Sequence, residues 1–304
     1  MAWPARLGPV PQGVNGRFED PMTAALPPLS CNYLLVIHIP VVVDAQGQRW
    51  IERLWAVDLA QHTDYIRRLT VACPFERGEP GADAVRADEH GFRFVKIAYR
   101  QRSLLALFDA PLVAWQLWRL VGRSDFVHSL YGQYWPLDTP YITNLIARLR
   151  GKCLMVNVEA SPWRIARGER VSRLRRWQAA VVEALNRWTI SLADIAFFTH
   201  EGYLRDLMPQ HAERGHVVHA SWIDEAIVQS DAAAQARWQA RWQGRQTDGA
   251  PVLRLLFAGR LQEDKGLHVL FDALQRLRGA GRTRVQVSII GAGDLEGACR
   301  EQAR

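Results

Sequence analysis

Nothing before Tyr33 supplies the continuous apolar run after basic residues that a secretory signal requires, so export by that route is not expected. No membrane-spanning helix is expected either. The most apolar long stretch, Leu104 to Val121, is interrupted by Asp109, Pro111 and Arg119. Cysteine is scarce, and Cys31, Cys73, Cys153 and Cys299 are scattered without paired spacing, each in or beside an apolar segment. That pattern suggests neither a disulfide framework nor a zinc site and reads as buried free thiols in a reducing compartment. No internal repeat of fixed period is present. The expectation is a cytoplasmic protein, with room for peripheral contact on the inner face of a membrane. On the basic side lysine is nearly missing: Lys plus Arg is 38 against 31 for Asp plus Glu, a formal charge of +7, and nearly all the cations are arginine. The surplus implies partners of negative charge, among them phosphates, nucleotides, nucleic acid or an anionic membrane surface.

What is present is a globular chain. Its 304 residues, 48% of them hydrophobic, allow one large or two ordinary domains with real cores. Residues 1–30 carry six prolines and few large apolar groups and read as a poorly ordered leader. From Cys31 onward short apolar runs alternate with helical patterns. Strands are expected at Tyr33 to Ile39, Thr70 to Cys73, Phe92 to Ile97, Asp125 to Ser129, Cys153 to Val158, Ala193 to Thr199 and His216 to His219. Helices are expected at Trp50 to Arg68, Ser103 to Leu120, Thr139 to Arg150 and Glu169 to Trp188, with a helical turn at Asp224 to Val228 and a polar loop at Glu76 to His90. Such alternation predicts an α/β protein with a doubly wound, mostly parallel sheet. Residues 31–229 form this first domain, residues 230–250 read as a connector that begins helically and decays through glycine and proline, and a second strand-helix series fills residues 251–304.

The second series is organised around Pro251 to Gly266. An apolar run from Leu253 to Ala258 has strand character, Gly259 permits a tight exit, and Lys265-Gly266 opens the amphipathic segment Leu267, Leu270, Phe271, Leu274, Leu277. Arg260 and Lys265 thus lie beside a helix N-terminus that itself attracts anions, which suits a phosphate-bearing ligand. A solvated turn with two incidental charges fits the same residues. After the next strand, Val285 to Ile290, a further glycine turn follows at Gly291 and Gly293. Gly291-x-Gly293-x-x-x-Gly297 superficially matches a dinucleotide fingerprint, but no third strand follows and Asp294 would set a carboxylate at the helix start.

Phe257-Ala-Gly-Arg-Leu-Gln-Glu-Asp-Lys-Gly266 followed by Gly291-Ala-Gly-Asp-Leu295 resembles the start of the donor-binding domain of GT-B glycosyltransferases, and glycosyltransferase family 4 in particular. Asp125-Phe-Val-His128 and Ala193 to His200 resemble two further strands of that family. The resemblance implies two Rossmann-like domains facing a cleft, acceptor mainly on the first and donor mainly on the second. It implies transfer of a sugar with retention from a nucleotide diphosphate-sugar to a saccharide or lipid-linked acceptor, without a cofactor or an obligatory metal. Arg260, Lys265 and Gly259 would hold the donor diphosphate, with Gly47, Gly291 and Gly293 in loops near the cleft.

The sequence also departs from the family. Where many members have a glycine pair after the first strand, only Gly47 remains, and Leu130 replaces a histidine two positions beyond His128. Glu159 at the end of Val156-Asn157-Val158-Glu159 becomes the candidate polar group reaching the sugar, with His128 behind it. A hydrogen-bonded core histidine and a capping or ion-paired carboxylate are the plainer readings. The family's Glu-x7-Glu motif is missing before Arg304, so the donor domain is expected to be truncated and the activity of this chain is open. The alternative is a non-catalytic remnant that binds an acceptor, a membrane surface or a partner subunit. Nucleic acid is not expected as a partner, since no recognised module accompanies the charge. Finally, on the expected helix Glu169 to Trp188, the residues Val171, Leu174, Trp177, Val181, Leu185 and Trp188 share one face and Arg173, Arg175, Arg176 and Arg187 the other. With Arg164 and Arg167 this is either a sheet-covering helix with a solvated basic face or a contact with anionic lipid.

Overall fold

The structure, a computed structural model, describes residues 28–81, 83–90, 92–98, 106–133, 138–165, 169–218, 228–247, 252–281 and 284–302. The chain divides into two compact units, Met1–Trp222 and Ile223–Arg304. Of the sequence-based expectations, the leader up to residue 27 and the helical turn at residues 224–227 lie outside the described residues.

The first unit opens with β1 (Leu29–Val36), then β2 (Val41–Val43), β3 (Arg49–Glu52), α1 (Arg53–Tyr65), β4 (Ile66–Cys73), β5 (Phe75–Arg77), β6 (Ala84–Arg86) and β7 (Arg93–Lys96). It continues through α2 (Ala106–Gly122), β8 (Phe126–Leu130), α3 (Thr139–Leu149), β9 (Cys153–Val158), α4 (Arg173–Ser191), β10 (Ile195–Phe198), α5 (Glu201–Leu207) and β11 (Gly215–Val217). Seven strands form one sheet in the order β11-β10-β9-β8-β1-β4-β7, and every pairing in it is parallel. Chain order runs outward from β1 through β4 to β7, then returns and runs outward the other way from β8 to β11. That reversal makes the sheet doubly wound, and it sets the switch point between β1 and β8.

Strand alternation supplies both core faces. Leu34, Val36, Val127, Leu154, Val156, Ala196 and Phe198 pack on one side against Val113 and Leu117 of α2, Ile146 of α3 and Val182 and Ile190 of α4. Tyr33, Leu35, Val71 and Leu130 pack on the other against Ala56 and Leu59 of α1 and against Val41 and Ile51. The last two belong to a small four-stranded sheet, β5-β2-β3-β6.

Two expectations are corrected by this small sheet. The polar stretch Glu76 to His90 is not simply a loop, because its short strands pair with β2 and β3. The helix expected over Trp50 to Arg68 is shorter at both ends. Trp50 and Ile51 are pulled into β3 by backbone pairing to Val42 and Val85, and Ile66 already starts β4, its side chain buried.

The second unit holds α6 (Asp231–Thr247), β12 (Leu253–Ala258), α7 (Leu267–Gly279), β13 (Val285–Ile290) and α8 (Glu296–Gln302). The connector expected to fade is helical through Thr247, with the side chains of residues 231–243 exposed. β12 and β13 pair in parallel from Leu253↔Val285 to Ala258↔Ile290. Leu261, Leu267 and Cys299 close a small core beneath them, joined by Phe257, Leu270, Phe271, Ile289 and Leu295.

Candidate functional site

In open α/β sheets ligands bind beyond the carboxyl ends of the strands at the switch point. In the first unit that position lies between the ends of β1 and β8. His38 follows β1, and burial pushes its pKa down while the charge of Asp138 opposes the shift. Asp138 caps α3, its two carboxylate oxygens accepting from the backbone amides of Gln133 and Thr139 at 2.9 and 3.0 Å. Gly132 comes just before Gln133; its amide donates to Asn186 Oδ1 at 2.9 Å and its carbonyl accepts from Asn186 Nδ2 at 2.8 Å. Asn186 is fully buried in α4, and a side chain at Gly132 would run into the ring of Tyr141. Gly132, just after β8, is therefore held by a polar clamp.

His128 and Glu159 share the opposite face of the sheet from that clamp. On β8, Phe126, His128 and Leu130 alternate onto the side covered by α1, and on β9 the series Cys153, Met155, Asn157 leads to Glu159 on the same side. Tyr33 Oη lies 3.0 Å from His128 Nδ1, and among the described residues Nε2 of the buried His128 ring has no hydrogen-bond partner. Burial, with the nearby His62 adding to it, lowers the His128 pKa to about 3, so the ring is neutral. His128 is thus buried on the α1 side of the sheet, beside the Tyr33 hydroxyl. Its ring centroid is 6.1 Å from that of His62, one of two polar residues of α1 that sequence reasoning did not single out.

The other is Asp58, one helical turn earlier. His62 Nδ1 lies 2.8 Å from the Asp58 carbonyl and 3.9 Å from its carboxylate. Burial raises the pKa of Asp58, with His62 opposing. Glu159 is exposed as a residue, yet partial loss of solvent around its carboxyl group and the charge of Asp58 both raise its pKa, and a 2.8 Å hydrogen bond from Asn157 Nδ2 opposes them. The order along this face is Tyr33, His128, His62, Asp58 and Glu159. The visible signal for the missed pair was the i,i+4 spacing of Asp58 and His62 in a segment already read as helical.

Gly47 has a different place. It sits at φ 78° in the β2–β3 turn, its amide donating to the Asp44 carbonyl, while the Asp44 carboxylate accepts from Gln46, Gln48 and the Trp50 indole. The glycine serves a tight, self-capped hairpin of the small sheet.

The helix expected at Glu169 to Trp188 starts later and turns a different face inward. α4 buries Val182, Asn186, Thr189 and Ile190, whereas Leu174, Trp177 and Trp188, expected on the core side, are 63%, 64% and 50% exposed. The polar Asn186 and Thr189 are drawn in because their hydrogen bonds are met there, by Gly132 and by the Leu185 carbonyl. Arg164 is not part of a basic helical face. It is bonded to Glu183 at 2.7 and 3.0 Å and to Asp206 at 3.0 Å, and Glu183 also accepts from the Trp163 indole.

In the second unit the residues Gly259, Arg260, Lys265, Gly291 and Gly293 come together at the carboxyl ends of β12 and β13. Gly259 N donates to Ile290 O at 3.0 Å and Leu261 N to Ala292 O at 2.9 Å, so the two turns continue the strand pairing. Gly291, at φ 150°, rests against the carbonyl of Gly259, and a Cβ at Gly293 would lie 2.5 Å from the carbonyl of Leu261. Only glycine allows this approach. Arg260 is exposed, a 3-10 turn carries Lys265, and Gly266 at φ 74°, ψ 22° starts α7 without a side-chain cap. The loop that carries Arg260 and Lys265 thus runs from the Gly259 turn to the positive end of the α7 dipole. No group of three or more His, Cys, Asp or Glu that could hold a metal ion occurs among the described residues.

No protein-family model matches the chain, and no curated protein matches its sequence. Among solved structures, an α,α-trehalose-phosphate synthase (UDP-forming) from Burkholderia vietnamiensis is similar with a TM-score of 0.49 and 14% identity over 90% of this chain and 67% of its own. A UDP-GlcNAc 2-epimerase from Neisseria meningitidis bound to UDP-GlcNAc has a TM-score of 0.39 and 15% identity over 89% of this chain and 68% of its own. A protein from Listeria monocytogenes described as a UDP-N-acetylglucosamine 2-epimerase has a TM-score of 0.40 and 11% identity, covering 90% of this chain and 66% of that one. The chain spans about two thirds of the length of the structures it matches.

Proposed function

We propose that this chain is a GT-B glycosyltransferase of the family 4 type, which transfers a sugar from a nucleotide diphosphate-sugar to a saccharide or lipid-linked acceptor with retention, in the synthesis of surface polysaccharide or glycoconjugate. The observation that carries the reading is the second unit's arrangement of Arg260, Lys265 and the α7 N-terminus around the Gly259 and Gly291–Gly293 turns. Cations and helix-end amides at that place stabilise the charge that builds on a leaving diphosphate, which is where electrostatics lower a transfer barrier most. Close backbone packing of the glycines keeps side chains out of the ligand's path. In the first unit Glu159 is the group assigned to the sugar, and its raised pKa suits a carboxyl group that exchanges a proton with a hydroxyl. His128 acts from behind through the α1 face and does not touch substrate.

The test offers UDP- and GDP-sugars with saccharide and lipid-linked acceptors and reads the anomeric configuration of the product by NMR. Retained configuration in the product, with turnover lost in Glu159→Gln while UDP or GDP still binds, is the expected result. An inverted product, or turnover unchanged in Glu159→Gln, overturns the assignment.

A further inference from the structure

The helical layer over one side of the first unit has an unusual outer surface. α2 packs against α3 and α3 against α4, and all three bury their inner faces in the same core. Their outer faces should be polar. Instead Trp115 and Trp118 of α2, Leu149 of α3, and Leu174, Trp177 and Trp188 of α4 are between 45% and 66% exposed. Scattered exposed apolar residues are ordinary, but large ones on three adjacent helices of one layer mark an interaction surface.

The charges on the same layer are one-sided. The three helices carry Arg119, Arg148, Arg173, Arg175, Arg176 and Arg187 against only Asp109 and Glu183. Glu183 is already shared by Arg164 and by Arg187 of the same helix, and Asp109 also has an interaction partner. Arginine and tryptophan are moreover paired: the Arg119 guanidinium lies 4.9 Å from the Trp115 ring, and that of Arg150, just past α3, lies 4.5 Å from the Trp118 ring. Such pairs hold a cation and an amphipathic ring at one depth, as suits the boundary between lipid headgroups and acyl chains.

We propose that the outer face of α2, α3 and α4 docks on an anionic lipid surface, with the tryptophans and leucines entering the interface and the arginines meeting the headgroup charge. Charge complementarity selects this occupant. A second copy of the chain, meeting this face with its own in a two-fold contact, would bring arginine against arginine with few carboxylates to answer them. Among the described residues no helix is long and apolar enough to cross a membrane, so the contact is a surface one. The inference rests on the first unit alone and stands independently of the sugar-transfer reading.

Flotation with vesicles of phosphatidylglycerol and phosphatidylcholine in equal parts tests it, alongside pure phosphatidylcholine and a brominated phosphatidylcholine in the anionic mixture. The full chain should float with the anionic vesicles at low salt, release as salt screens the attraction, and lose tryptophan fluorescence to bromine. Arg173→Gln with Arg176→Gln should weaken binding roughly 25-fold, about fivefold for each cation near the surface. Trp115→Ser with Trp177→Ser should reduce both binding and bromine quenching. All four positions are exposed, so circular dichroism and melting should match the parent. Equal binding of parent and variants, or equal binding to neutral vesicles, overturns the proposal. So does a dimer in light scattering that the tryptophan variant dissociates while the parent fails to float.

Discussion

His128 shows how one buried side chain ties stability to pH. Burial and His62 hold its folded pKa near 3, whereas an unfolded histidine titrates near 6.5. Below that unfolded value the denatured chain binds a proton that the native chain refuses, so stability falls as pH falls. The contribution is whole above about pH 6.5 and shrinks by roughly 1.4 kcal/mol for each pH unit below it, about 2 kcal/mol by pH 5. Urea titrations at pH 7 and pH 5 should show that loss in the parent and a loss smaller by about 1 to 2 kcal/mol in His128→Gln, where no ring is left to protonate. Asn186 is the second residue whose removal should be expensive. Asn186→Ala leaves the amide and carbonyl of Gly132 without partners in a buried place, and a destabilisation of about 2 to 4 kcal/mol is expected in the same titration. Neither pairing was legible in the sequence, because each joins residues far apart in the chain that meet only after the sheet has formed.

Among the elements, the β12–β13 pair with its two glycine turns carries the sharpest contrast. Gly291→Ala forces a Cβ into the carbonyl of Gly259, whereas Gly297 in α8 has open space around it. The first change should destabilise the second unit by about 2 to 4 kcal/mol, read as faster hydrogen exchange of the β12 and β13 amides. Gly297→Ala should be neutral or stabilising by up to about 1 kcal/mol. These two strands were legible to the residue, Leu253 to Ala258 and Val285 to Ile290, because an apolar run closed by a glycine turn is a local signal. The parallel strands of the first sheet were read from their apolar runs alone. The small sheet was not, since β5 and β6 are three residues long and draw their stability from partners in β2 and β3, not from their own pattern. α4 misled in another way. A stripe of Leu174, Trp177 and Trp188 looks like a core face by periodicity, but periodicity cannot tell a face that meets a sheet from one that meets something else.

For the whole molecule, the α/β architecture with a doubly wound parallel sheet followed from alternation, and the strand-turn-helix that carries Arg260 and Lys265 followed from spacing. The face that joins His128 to Glu159 through Asp58 and His62 did not, because α1 reaches it only through the crossover between β1 and β4. The central claim is that the second unit binds the diphosphate of a nucleotide sugar through those two cations. Calorimetric titration of UDP and of GDP into the protein, Arg260→Ala and Lys265→Ala tests it most directly. The account predicts binding of one nucleotide by the parent and a loss of about 1.5 to 3 kcal/mol in each variant, the worth of a charged hydrogen bond. Unchanged affinity in both variants, or no binding of either nucleotide by the parent, would contradict it.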